Sequence, residues 1–203
     1  MGAYGRSIPA YVFAATFIAL STMGAAAQTG VNGQLSNIGI DNFGRINANY
    51  FRGAQPVGRD YADLAALGVK TVIDLTADGE AREPEMVKSA GMKFYRIPMT
   101  THMPPTDEQV AQFLKLVNDP VNQPVFVHCQ GGRHRTGVMS AVYRMTANGW
   151  AADQAFAEMK RYSFGADFLH SEFKSFVYAF RPAPMLAASS GASETLVASD
   201  VVR

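Results

Sequence analysis

Cysteine is nearly absent: Cys129 is the single thiol in 203 residues. That excludes an intramolecular disulfide and any zinc centre built on paired cysteines. The spacing of His128, Cys129 and His134 fits none of the usual structural zinc patterns, so no metal is expected. Excess charge of one sign is also lacking. Eighteen Lys and Arg stand against 17 Asp and Glu, a formal net of +1, and charged residues make up 17% of the chain. This excludes a general nucleic-acid-binding surface; any basic patch must be local. The apolar run Ala10–Leu20 is too short for a comfortable membrane span, which takes about 20 residues. There are no internal repeats. What is present is 48% hydrophobic residues, enough for one domain with a sizeable core.

The ends differ from the middle. Arg6, the apolar run and Ala25-Ala26-Ala27 have the order of a charged n-region, an h-region and a small-residue cleavage site. Residues 1–27 therefore read as a signal peptide, removed on export to a periplasmic or extracellular compartment. The rival is an uncleaved membrane anchor. A free thiol in an oxidising compartment is open to oxidation, although the absence of a second Cys removes the intramolecular disulfide trap. Residues 28–42, rich in Gly, Asn and Ser, read as a flexible entry. Pro182 and Pro184 end the patterned region, and 182–203 reads as a disordered tail.

Between these ends, strands alternate with helices. Ile46 to Arg52 suits one strand, closed by Gly53 and Pro56. Asp60 is placed to cap a short helix carrying Tyr61, Leu64 and Leu67, with Gly68 as its stop. Val69–Leu75 reads as a β-branched strand containing Asp74, for which a structural role is expected. A polar stretch, 76–83, precedes a short helix with Met86, Val87 and Ala90. Lys93–Ile97 is a further strand. Thr106 and Gln109 have capping-box spacing ahead of Val110, Phe113, Leu114 and Val117. Later helices carry Ala155, Phe156 and Met159, then Phe173, Phe176, Val177 and Phe180. Those aromatic rows read as core. The pattern predicts an α/β sheet flanked by helices.

One stretch carries chemistry. Pro124-Val125-Phe126-Val127 reads as a buried strand, and Val138, Ala141, Val142 and Met145 mark one face of a helix. Between them lies His128-Cys129-Gln130-Gly131-Gly132-Arg133-His134-Arg135-Thr136-Gly137. A loop joining a strand to a helix start can line up backbone N–H groups around an anion, helped by the helix dipole. These donors and the Arg135 guanidinium favour a Cys129 thiolate, the nucleophilic form. Arg135 offers a planar fork for two phosphate oxygens. Gly131 and Gly132 let the backbone turn tightly. Gln130 to Arg135 are the expected phosphate-binding residues.

The stretch resembles the C-x5-R signature of the cysteine-dependent phosphatases. Its fuller form, H-C-x-x-G-x-x-R-T-G, is similar to that of the dual-specificity branch. Arg133 to Gly137 resembles the ending found in atypical plant and fungal members, some of which act on inositol pyrophosphates. Tyr50 to Pro56 resembles the opening segment of bacterial members. The resemblance spans roughly residues 43–181. It implies a phosphotyrosine-phosphatase-like central sheet with the P-loop at a strand–helix junction. It also implies hydrolysis of a phosphorylated protein or an inositol phosphate through a phosphocysteine, without a cofactor. Thr136 would hydrogen-bond the departing sulfur, and His128 would brace the loop from behind through backbone contacts. Arg52 would either approach the anion or make a surface or sheet-edge ion pair. Arg133, His134 and Arg52 are candidates for a basic rim.

The resembled family draws its general acid from an Asp on a separate loop. Here that loop, Pro98 to Pro105, has no carboxylate, and Thr101 stands where related cysteine phytases have Asp. His102, beside it, and Asp107, in the first turn of the next helix, are the candidate donors, His102 ranking first. Asp107 can equally serve as a dipole-favourable helix residue. Two other readings keep the cradle: a phosphate-binding module with little turnover, and a sulfur-transfer domain, which the R-T-G ending disfavours.

Overall fold

The computed structural model describes residues 38–182. The signal-peptide reading of 1–27, the entry as far as 37 and the tail from 183 lie outside the described residues. Five strands form one sheet in the order β1-β2-β5-β3-β4. They are β1 (Gly44–Asn47), β2 (Tyr50–Gly53), β3 (Thr71–Thr76), β4 (Lys93–Met99) and β5 (Val125–His128). β1 and β2 are antiparallel, while β2, β5, β3 and β4 run parallel to their neighbours. Parallel neighbours need crossovers, and helices supply them: α1 (Asp60–Ala66), α2 (Glu83–Ser89) and α3 (Asp107–Asn118). Three more follow: α4 (Arg135–Ala147), α5 (Ala152–Arg161) and α6 (Ser171–Ala179).

Every residue of β3 and β5 is buried. Both are interior parallel strands covered on two faces, so they carry near-continuous apolar runs rather than an alternating pattern. β4 is an edge strand and runs two residues past Ile97. Its Pro98 costs no ladder bond on the open side. The expected single strand over Ile46–Arg52 is instead a hairpin. The chain reverses at Ala48-Asn49, with Asn47 paired to Tyr50. Asn47 Oδ1 accepts the Asn49 N–H at 2.8 Å, a side-chain-closed turn that needs no glycine. Asp60 is not the cap of α1 but its first residue. Its carboxylate accepts from Val57 N–H at 2.8 Å instead. Thr106 does cap α3, in a complete capping box with Gln109.

α4 is the helix on which the domain is built. One apolar face was expected, yet Arg135 to Tyr143 and Met145 are all buried. The reason is a second layer: α5 and α6 pack over the side of α4 that faces away from the sheet. Gly137 leaves room for Met159 of α5, whose side chain would meet a Cβ there at 3.3 Å. Val138, Met139 and Val142 join Ile73, Leu75, Val127, Phe113, Phe156 and Phe173 in one core. Each fully buried side chain of this size contributes about 1.5–3 kcal/mol. The core therefore fixes the N-terminus of α4 against the carboxyl end of β5. No helix among the described residues is long and apolar enough to cross a membrane.

Candidate active site

The 129–134 loop joins β5 to α4 at the carboxyl ends of the parallel strands, where such sheets place ligands. Its carbonyls are tied back into the protein. Gln130 O accepts from Gln55 N–H at 3.2 Å. Gly131 O and Gly132 O accept from Asn42 Nδ2 at 3.4 and 2.9 Å. Arg52 Nη2 also donates to Gly132 O. Across a planar trans peptide the next N–H points the opposite way. Tying back these carbonyls thus turns the N–H groups of Gly131, Gly132 and Arg133 outward, and none of the three has a backbone acceptor. This is an anion nest built by its rear contacts. Asn42, expected to end a flexible entry, also donates to Tyr162 O at 2.9 Å and so clamps the loop to α5.

Cys129 and Arg135 line one cavity of about 270 Å3 with Thr101, Gln130, Gly131, Arg133 and His134. Cys129 is only 3% exposed and lines the cradle. Arg135 is the first residue of α4. Its Nη1 donates to Met99 O at 3.2 Å and to Asp78 Oδ1 at 3.4 Å. Thr136 Oγ1 is buried and unpartnered, so it makes no hydrogen bond to the sulfur. Arg133 is exposed on the rim. His134 is half-buried: its Nε2 lies 3.0 Å from Phe164 O, and burial pulls its pKa below the ordinary histidine value.

Behind the loop lies a charge. Arg52 is fully buried on β2, an interior strand, so neither the sheet-edge ion pair nor a rim position describes it. Its guanidinium lies over the Tyr162 ring at 4.0 Å. Two of its nitrogens lack hydrogen-bond partners, and no carboxylate pairs with it among the described residues. An arginine keeps its charge in such a place, so a fixed positive charge backs the nest.

His128 meets a side chain, not the backbone contacts expected of it. Its Nε2 lies 2.9 Å from Glu83 Oε1, out of line for a good hydrogen bond. Glu83 also accepts from Gln55 Nε2 at 2.7 Å and Tyr61 Oη at 3.2 Å. Asp74 binds Arg96 Nε at 2.6 Å and the Thr76 N–H at 2.8 Å, the structural role its burial implies. Asp74, Glu83 and His128 stand close enough to hold a metal. The Arg96 guanidinium already occupies the charge complement of both carboxylates, so the cluster suits no further cation.

Neither expected proton donor lines the cavity. Thr101 does; His102, next to it, turns away with its side chain 76% exposed, near Glu172. Asp107 is exposed in the first turn of α3. The carboxylate that does reach the site is Asp78, in the 76–83 stretch after β3. It lines an adjoining cavity of about 280 Å3 with Gln55, Thr76, Gly79, Glu80 and Gln130. Its position at the carboxyl end of a parallel strand was the available signal; polarity alone did not single it out.

Comparison with known proteins agrees with this geometry. Over residues 38–176 the chain matches the family model described as DSP-PTPase phosphatase fused to NAD+ kinase. It is 27% identical over 130 residues to the inositol diphosphatase SIW14 of Saccharomyces cerevisiae, covering 61% of this chain and 46% of that protein. It is 31% identical over 126 residues to the dual specificity protein phosphatase TpbA of Pseudomonas aeruginosa, covering 61% and 56%. The chain thus spans about half the length of these curated relatives. A crystal structure of TpbA superposes with a TM-score of 0.61 at 26% identity, over 70% of this chain and 86% of that one. The SIW14 catalytic core with citrate gives 0.61 at 22%, with the same coverage. A family match over most of the described domain, on a sheet that presents Cys129 and Arg135 to one cradle, makes this chain a member of the DSP-PTPase phosphatase family.

Proposed function

We propose that the chain is an exported phosphatase that hydrolyses phosphate monoesters through a phosphocysteine on Cys129. The observation that carries this reading is the shared cavity of Cys129 and Arg135, floored by outward-facing N–H groups. Cys129 thiolate attacks phosphorus; the S–P bond forms as the bond to the ester oxygen breaks. Arg135 and the nest N–H groups hold the equatorial oxygens as their charge develops. Water then attacks the phosphocysteine, the S–P bond breaks, and inorganic phosphate leaves. Thr136, whose hydroxyl is buried and unpartnered, donates to the departing sulfur. Arg52 contributes a fixed positive charge from behind. The order of features in residues 1–27 supports export, and the N-terminus of the purified mature protein reads it out.

Pre-steady-state hydrolysis of an aryl phosphate tests the mechanism. A burst of aryl alcohol equal to the enzyme concentration is expected, because the ester bond breaks before the phosphocysteine is hydrolysed. Tight vanadate binding without turnover on any phosphate would instead make the chain a binding module. Substrate class is proposed at the level of phosphorylated protein or inositol phosphate. The names of the relatives include both a dual specificity protein phosphatase and inositol diphosphatases. A panel of phosphopeptides, inositol hexakisphosphate and inositol pyrophosphates separates the two.

The leaving oxygen needs a proton, and Asp78 is the donor we propose in place of His102 and Asp107. Its carboxylate rests against Arg135 at 3.4 Å. A bound phosphate takes over that guanidinium and leaves the Asp78 carboxyl beside the substrate. Asp78→Asn is expected to lower kcat about 100-fold on an alkyl phosphate and much less on an activated aryl ester. It should also remove the basic limb of the pH–rate profile. If that limb survives in Asp78→Asn and disappears in His102→Ala, the assignment returns to His102.

A further inference from the structure

The chain has four histidines, and three of them meet beside the cradle although the first and the last are 68 positions apart in sequence. His102 comes from the loop after β4, His134 from the end of the cradle, and His170 from the residue before α6. The His102 and His170 rings stack at 5.5 Å, and the His170 and His134 rings lie 3.7 Å apart, tilted by 34°. Glu172, in the first turn of α6, faces the first two. Its Oε1 lies 3.2 Å from His170 Nδ1 and 4.0 Å from His102 Nδ1. One donor atom from each of His102, His170 and Glu172 lies within 4.8 Å of the other two.

We propose that His102, His170 and Glu172 form a zinc-class divalent metal site on the rim of the cradle, separate from the cysteine chemistry. Two imidazoles and one carboxylate are a donor set that borderline divalent ions take, with the fourth position left to water. In a tetrahedral zinc site with bonds near 2.0–2.1 Å, neighbouring donors are about 3.3 Å apart. The His170–Glu172 edge is already at 3.2 Å. His102 has to close in by under about 1 Å towards Glu172 and by at most about 1.5 Å towards His170 on that geometry, and its side chain is 76% exposed.

The other two donors are held in place. His170 O accepts from Phe173 N at 3.2 Å and Lys174 N at 3.4 Å, which sets the backbone of both residues at the start of α6. The His170 ring packs against both His134 and Phe173, and His134 is itself tied to Phe164 O. Rings fixed by neighbours of this kind lose little freedom when a metal arrives. Unlike the Asp74–Glu83–His128 group, this cluster has no arginine or lysine ion-paired to its carboxylate among the described residues; there Glu172 pairs with the two histidines.

The test uses zinc titration of the full chain by calorimetry, in the Cys129→Ser background so that the thiolate cannot bind the metal. The reading does not depend on phosphatase activity, because zinc binding itself is measured and no substrate is present. One zinc per chain is expected, with affinity reduced at least about 10-fold by His102→Ala and by Glu172→Gln. His102→Ala changes an exposed side chain, so loss of fold does not confound it; circular dichroism checks Glu172→Gln. No zinc binding at all, or binding that both substitutions leave unchanged, overturns the proposal. Zinc bound to the wild type but lost in Cys129→Ser also overturns it, since the metal would then sit on the cysteine.

Discussion

Cys129→Ser is expected to lower kcat on an aryl phosphate about 10,000-fold or more while leaving the fold intact. The loss corresponds to roughly 5.5 kcal/mol of barrier. The cause is the nucleophile alone: a serine hydroxyl at neutral pH is almost wholly un-ionised. The surroundings of Cys129 are unaffected by the exchange. The carbonyls of Gln130, Gly131 and Gly132 remain tied to Gln55, Asn42 and Arg52, so the outward N–H groups and Arg135 keep their positions. Phosphate or vanadate binding should therefore survive, and the burst should disappear. Fluorescence titration with vanadate and stopped-flow kinetics check the two halves separately. Activity near wild type in Cys129→Ser would remove the mechanism, whatever the family match.

Gly132→Ala is expected to destabilise the domain by about 3 kcal/mol or more and to lower activity with it. Gly132 has φ +63°, a conformation that costs an L-residue about 1–2 kcal/mol. The larger effect is steric. A Cβ at this position would stand 2.5 Å from Gly53 C, 2.6 Å from Gly53 O and 2.7 Å from Ala54 N. All three are backbone atoms at the end of an interior strand and cannot swing aside. The loop would have to lift off β2, losing the Asn42 and Arg52 hydrogen bonds to Gly132 O. Arg52 would then be left buried with less compensation than before. Gly131→Ala is the internal control. Its Cβ would meet nothing closer than 3.7 Å, and the nearest atoms belong to the flexible Arg133 side chain. It should cost under about 1 kcal/mol. For a domain of this size the difference between the two is roughly 6–12 °C in Tm, readable by thermal or denaturant unfolding. Equal stabilities would mean that the cradle does not lean on β2.

These two glycines look alike in the sequence, where both simply permit a tight turn. The distinction between them comes from β2, which lies about eighty residues earlier in the chain and beside β5 in the sheet. The same holds for the acid. Thr101 in place of an aspartate was visible in the sequence and turned attention to its nearest polar neighbours, His102 and Asp107. The 98–105 loop carries His102 outward towards α6 and leaves Thr101 facing the cavity, so proximity along the chain does not by itself put a donor in the site. Asp78 approaches from a different crossover, 57 residues before Arg135. The hairpin of β1 and β2 was missed for a local reason: its turn is closed by the Asn47 side chain and carries neither Gly nor Pro.

The amino-acid sequence alone determined the strand–loop–helix unit that presents Cys129 and Arg135, the capped start of α3 and the alternating α/β order. Each of these depends on residues within a few positions of one another, so spacing and side-chain type suffice. The tertiary structure alone decided what stands behind and around the cradle: Arg52 and Asn42 at its back, Asp78 against Arg135, and three histidines at its lip. Those contacts join residues 30 to 90 positions apart. They follow from how parallel crossovers stack elements side by side, which no local pattern records.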